Sequence, residues 1–205
     1  MVRPNVEDVR RAQIMAATRR VMVQRGVAML RVADVAREAG VSPGIVHYYF
    51  ASKDELIRET FEDNFASSVE RRASLLAQDL PVDEKLELLL NTYVPKDDVT
   101  NESWHVWLEL WVGALQDEQL RRVNDAAYDE WRRLIGGLID DGIEQGVFVS
   151  PDPASAVNKL IAMLDGLAVQ ALLGSTVITV DKMQRLCTEF VDDLLRAPER
   201  ASARR

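Results

Sequence analysis

Two groups of side chains in this sequence have types and spacings suited to recognition chemistry. In Ser42-Pro43-Gly44-Ile45-Val46-His47-Tyr48, Ile45 has no polar atom for a base edge, so its natural outward contact is a thymine methyl. His47 can hydrogen-bond a purine N7 or a phosphate. Lys53 stands where a further helix begins, and there exposed amides and the positive dipole end make a phosphate site. Tyr48 and Lys53 suit positioning through phosphates, which carries little sequence information. The second group is aromatic: Trp104, Trp107 and Trp111 fall at i, i+3 and i+7, with Tyr93 on the preceding helix and Phe65 on an earlier one. Such a stripe is ordinarily core. The alternative is a ring-lined pocket in which cation–π contacts hold a quaternary amine and Glu109 supplies the counter-charge. An apolar ligand fits the same residues equally well.

The elements that must position the first group are two short helices and a tight turn. Val32, Val35, Ala36 and Ala39 recur at helical spacing before the turn, and Val46, Tyr49 and Phe50 after it, so each helix has an apolar face to bury. Between them Gly40 can take the left-handed conformation that ends a helix. Ser42 is a good N-cap, and Pro43 at the first helical position forfeits no hydrogen bond. Two short helices joined so closely form a helix-turn-helix. Upstream, 6–25 reads as a helix ended by Gly26, with Ile14, Ala17 and Val21 on one face. Its arginines read for the most part as solvated charges, with one or two near the N-terminus, and Arg3 before them, available to phosphate.

The rest of the chain also reads as helices. Ser52-Lys53-Asp54-Glu55 is a capping box opening a long helix from Lys53 to about residue 78, stopped by Leu80-Pro81. Further helices are expected over 83–93, 101–115, 118–145 (with a possible bend at Gly136-Gly137), 153–173 and 179–195, and no strand alternation stands out. The fold class is therefore all-α with about nine helices: a three-helix head over residues 1–50 and a larger helical body over residues 51–205. Leu160, Met163, Leu164, Leu167, Ala168, Ala171 and Leu172 are too many apolar residues for a face touching one neighbour. The following helix adds Met183, Cys187, Phe190 and Leu194. Leu160, Leu164, Leu167 and Ala171, with those four, are the expected dimer surface, a pair of helices from each subunit making a four-helix bundle. The tail after Ala197 is small and charged and reads as disordered.

Composition narrows the function classes. The 205 residues carry a net charge of −8, unusual for a nucleic-acid binder until it is divided along the chain. Residues 1–50 hold 8 Arg against 4 Asp and Glu, a surplus of +4, and the remainder holds 17 Lys and Arg against 29 acids, −12. A basic head on an acidic body attracts phosphate to one end and repels it elsewhere. No apolar run is read as long enough to span a bilayer, and the N-terminus lacks the apolar segment of a secretory signal, so a cytoplasmic protein without a membrane partner is expected. The single Cys187 reads as core. With His47 and His105 assigned to different domains, no Gly-rich phosphate loop and no metal-spaced ligand set, no catalytic residue, metal or cofactor is expected. An all-α enzyme remains the remote alternative.

Residues Val32 to Leu56, VADVAREAGVSPGIVHYYFASKDEL, resemble the head of tetracycline-repressor (TetR) family regulators, in order: the Ala-Gly-Val-Ser turn, the short helix ending in Tyr-Phe, and the Ser-Lys-Asp-Glu-Leu opening of a long helix. More weakly, Trp104, Trp107, Trp111, Tyr128, Trp131, Gly146-Val147-Phe148, Asp152-Pro153 and Asp165-Gly166-Leu167 resemble the betaine-operon repressor (BetI) subgroup. The resemblance implies an all-α homodimer that binds double-stranded operator DNA of palindromic sequence and is released by a small-molecule inducer bound in the body. By position it implies that Ser42, Pro43, Gly44, Ile45, His47 and Tyr48 face the major groove or its flanking phosphates and that Lys53 contacts backbone. Phe65, Tyr93, Trp104, Trp107, Glu109, Trp111 and Met163 are the candidate pocket residues. Two positions depart from the family pattern: Arg31 replaces the usual Thr that opens the second helix, a poor cap that could reach phosphate, and His47 replaces the usual Tyr. A body that docks a protein partner and takes no ligand is the other reading.

Overall fold

Apolar residues spaced three and four apart build nine helices in the described part of the chain, residues 6–195 of this computed structural model. They are α1 Val6–Arg25, α2 Val32–Ala39, α3 Pro43–Tyr49, α4 Lys53–Leu76, α5 Val82–Asn91, α6 Asp98–Ala114, α7 Glu118–Glu144, α8 Pro153–Leu172 and α9 Val180–Leu195. No strand occurs among the described residues. The expected phosphate contact at Arg3 and the expected disorder after Ala197 lie outside them.

The local chemistry accounts for most of these boundaries. Gly40 sits at φ +66, and the Val41 N–H returns to the Ala36 carbonyl at 2.9 Å, closing α2. Ser42 accepts the Ile45 N–H at 3.3 Å and starts α3 with Pro43 in its first turn. Ser52 accepts the Glu55 N–H at 3.0 Å, while the Glu55 carboxylate takes the Ala51 N–H at 2.5 Å, so the capping box reaches back one residue beyond the cap. Arg31 precedes α2 and makes no side-chain cap bond. α6 begins three residues earlier than 101 because Asp97 accepts the Thr100 N–H at 2.8 Å. α7 runs through Gly136 and Gly137 as one helix.

The chain packs as two units, Met1–Ser68 with Glu102–Asp125, and Val69–Asn101 with Ala126–Arg205. The first therefore takes in more than residues 1–50. Its core joins Ile14, Ala17 and Val21 of α1, Val35 and Ala36 of α2, Val46 of α3 and Phe50 to Leu56, Ile57 and Phe61 of α4 and Val106 and Leu110 of α6. Three short helices alone expose too much of these faces; the long helices close over them.

In this unit four of the five arginines of α1 pair with carboxylates, Arg10 being the exception. Arg11 pairs with Glu59, donates to the Tyr49 carbonyl at 2.8 Å and lies over the Phe50 ring, 4.5 Å from its centroid. Arg19 pairs with Asp63 and Glu102, Arg20 with Glu38 at 2.6 Å, and Arg25 with Asp34 at 3.0 Å. The expectation of solvated charge thus gives way to ion pairs that tie α1 to α2, α4 and α6, a pattern that helical spacing within α1 could not disclose.

The second unit is built on α8. Leu160, Leu164, Met183 and Cys187 are buried within the single chain, and Leu167 is nearly so. They lie on α8 and α9, which pack against each other within the chain. Ala171, Phe190 and Leu194 remain half-exposed. α8 is also long and apolar enough to cross a membrane by length and composition, contrary to expectation. One face of it lines the unit's interior through Ala156, Leu160, Leu164 and Ala168, which is the ordinary use of such a helix in a helical core.

Candidate functional site

The exposed residues of the helix-turn-helix are those the sequence singles out. Val46 and Phe50 are buried, each about 1% exposed, and fix α3 to the core of its unit. That leaves Ser42, Pro43, Gly44, Ile45, His47 and Tyr48 facing outward, with Ile45 40% and Tyr48 75% exposed. The Tyr48 ring stands edge-on to Tyr49, 5.1 Å between centroids, which restrains it at the end of the helix. Arg31 is exposed and Lys53 half-exposed, and neither forms an ion pair among the described residues. Arg10 of α1, which among the described residues bonds only the Gln13 side chain at 2.8 Å, is likewise without an ion pair there, so it joins these two as a cation the unit can direct at phosphate. The outward face is thus one apolar contact, one imidazole and one phenol flanked by cations, a set able to read base edges while gripping the backbone.

The aromatic candidates do not form one group. In the first unit Phe65 and Trp107 meet edge to face at 6.3 Å, and Trp104 and Trp111 at 5.9 Å. Glu109 also belongs there: its carboxylate accepts the Val27 N–H at 2.8 Å, just past the end of α1. Gly26, at φ +75, brings the backbone so close that a Cβ would meet Glu109 Oε1 at 3.2 Å. The carboxylate acts as a remote cap for the connection between α1 and α2. Tyr93 and Met163 belong to the second unit. His47 and His105, expected in separate domains, both belong to the first, on α3 and α6, and both are exposed. Among the described residues no cluster of His, Cys, Asp or Glu could hold a metal. Burial pushes the Cys187 thiol up to about 11, the behaviour of a core side chain.

The second unit holds a constellation that the sequence only hinted at. Asp165 on α8 accepts hydrogen bonds from the Tyr93 hydroxyl and, at 2.7 Å, from the Tyr128 hydroxyl on α7. Tyr93 stands edge-on to Trp131, centroids 4.7 Å apart, and the Arg72 guanidinium of α4 lies over the Trp131 ring at 4.3 Å. Burial raises the Asp165 carboxyl above its ordinary range although both tyrosine bonds oppose this. Burial first, and then the Asp165 charge, hold both phenols protonated, Tyr93 well above its usual value. A carboxylate held by two phenols, one of them stacked edge-on against Trp131, has the chemistry to attract a cation that can shed its water. Tyr128, Trp131 and Asp165 were visible in the sequence as parts of a resemblance; the separate patterns of α7 and α8 do not say that they converge with Tyr93.

Known proteins resemble this chain along most of its length. The family pattern described as bacterial regulatory proteins, tetR family, matches residues 14–60, and that described as BetI-type transcriptional repressor, C-terminal, matches residues 82–196. The transcriptional regulator BetI of Vibrio atlanticus is 27% identical over 199 residues, 95% of this chain and 96% of its own. The regulator PksA of Bacillus subtilis is also 27% identical, over 97% of this chain and 96% of its own. Among solved structures, a Saccharomonospora viridis protein in complex with choline shares 29% identity with a TM-score of 0.87, covering 91% of this chain and 97% of that one. A TetR regulator of Haloarcula marismortui shares 25% with a TM-score of 0.83, covering 92% and 100%. With more than half of its length matched by the BetI-type pattern and its head by the tetR pattern, the chain belongs to the TetR family of transcriptional regulators, with a body of the BetI type.

Proposed function

We propose that this protein is a cytoplasmic repressor that binds a palindromic operator as a homodimer and is released by a small quaternary ammonium ligand. The observation that carries the ligand class is the Asp165 carboxylate bonded by Tyr93 and Tyr128, with Trp131 edge-on to Tyr93. A quaternary ammonium has no N–H to donate, so ring faces and a desolvated counter-charge are the means by which a protein holds it. The likeness to a choline-bound structure supports the same class.

The DNA side rests on the outward residues of α3 with Arg31 and Lys53. Two copies of α3 about one DNA turn apart, or a multiple of it, enter successive major grooves. The half-exposed Leu186, Phe190 and Leu194 of α9, with Val169 and Ala171 of α8, supply the apolar strip for self-association. Release follows if the ligand prefers a body whose head spacing does not fit the operator. α4 contributes to both packing units and is the element through which the preference reaches the heads.

The test combines light scattering with operator titration. A dimer should bind an operator obtained by in vitro selection, and choline or betaine aldehyde should weaken that binding while the dimer persists. Operator binding that no quaternary amine changes would contradict the ligand reading and favour a body that docks a protein partner.

A further inference from the structure

Arg72 is a buried arginine, 2% exposed, whose guanidinium covers the Trp131 ring at 4.3 Å. Arginine is seldom so deeply buried, because the cation loses its water. Burial is the leading influence on it and lowers its pKa to about 10, against the pull of Glu130, so it remains charged at neutral pH. Arg72 thus places a planar cation on the face of Trp131, the ring that meets Tyr93 edge-on at 4.7 Å, and Tyr93 in turn donates to Asp165.

We propose that Arg72 is a built-in competitor for the ligand: its guanidinium occupies the Trp131 face, and a quaternary ammonium binds by taking that face and expelling it, with Tyr93 linking the ring to Asp165. The inference rests on the reading of Trp131 and Asp165 as a cation site. It supplies that reading with a coupling step, because the displaced charge belongs to α4, the helix that also carries Lys53. Ligand entry and a change in α4 are then one event, and the affinity for the ligand is reduced by the fraction of molecules in which Arg72 holds the site.

The probe is tetramethylammonium chloride, titrated calorimetrically into the full-length protein against sodium chloride at equal ionic strength. Arg72→Ala, which removes the guanidinium and uncovers the ring, should bind roughly ten times more tightly than the unsubstituted protein. Equal or weaker binding by a folded R72A protein would overturn the proposal. A second measurement needs no variant: the Arg72 Nε–H resonance, displaced by the Trp131 ring current, should return to the ordinary arginine position at saturating tetramethylammonium. A resonance that stays displaced while heat is released removes the competitor role and leaves the ligand reading standing. If neither protein takes up tetramethylammonium, the cation site itself is refuted, and the competitor with it.

Discussion

Glu109 separates two accounts of the same carboxylate. As a remote cap it holds the Val27 N–H at 2.8 Å; as a ligand counter-charge it would face a bound cation. A hydrogen bond to a charged partner contributes about 1.5–3 kcal/mol, and here the lower end applies because both residues are half-exposed. Glu109→Ala should therefore destabilise the protein by about 1.5–2 kcal/mol. Glu109→Gln retains an acceptor but loses the charge assistance, roughly half the strength, and should cost about 0.5–1 kcal/mol. For a chain of this size each kcal/mol moves Tm by about 2–4 °C, so Glu109→Ala should lower the melting of the unit that holds Glu109 by about 3–8 °C, followed by circular dichroism. Tetramethylammonium affinity of both variants should stay within about twofold of the parent. A Glu109→Gln protein with an unchanged Tm and tenfold weaker cation binding would refute the cap and restore the counter-charge.

Three further outcomes follow from the packing and charges. A Cβ at Gly142 would overlap the buried Phe148 ring, with its Cγ only 2.9 Å away, whereas Gly137 on the same helix meets nothing within 4 Å. Thermal melts should show Gly142→Ala destabilised by about 1–3 kcal/mol and Gly137→Ala stabilised by up to about 1 kcal/mol; equal effects would contradict the contact. Because burial raises the Asp165 carboxyl, the folded state binds its proton more tightly than the unfolded chain, so the stability this contributes is present in acid and lost as pH rises through the folded value. Asp165→Asn should match the parent's Tm in acid, exceed it increasingly toward neutral pH, and bind tetramethylammonium weakly throughout; a difference independent of pH would show that Asp165 is not the titrating group. His47→Ala should relax preference at one operator position, at roughly 1–3 kcal/mol per lost base contact, and uniform loss on every sequence in mobility shifts would leave His47 a backbone contact only.

The helices were legible because each carries its own punctuation. Gly40, Ser42-Pro43 and Ser52 with Glu55 act within a turn of themselves, and the structure shows each using the hydrogen bond that its type suggests. The start of α6 moved most, by three residues, since Asp97 and Thr100 cap it ahead of its apolar stripe. What a helix touches was less legible. The stripe Leu160, Leu164, Met183 and Cys187 is equally suited to an intramolecular and an intermolecular neighbour, and these four are buried already within one chain. Glu109 and the α1 arginines illustrate the same limit, because their partners lie far away in sequence. The Asp165 cluster is the sharpest case: Tyr93, Tyr128, Trp131 and Asp165 come from different segments, and helical spacing supplies no phase between segments.

The central claim is that operator and quaternary ammonium bind with opposed preferences to one dimer. Linkage makes this testable without any variant, since whatever factor the ligand takes from operator affinity the operator must take from ligand affinity. Choline should be titrated calorimetrically into the free dimer and into the dimer saturated with its selected operator. Binding to the complex that is weaker by the factor by which choline lowers operator affinity is the predicted result; identical choline affinity in the two titrations would contradict the account.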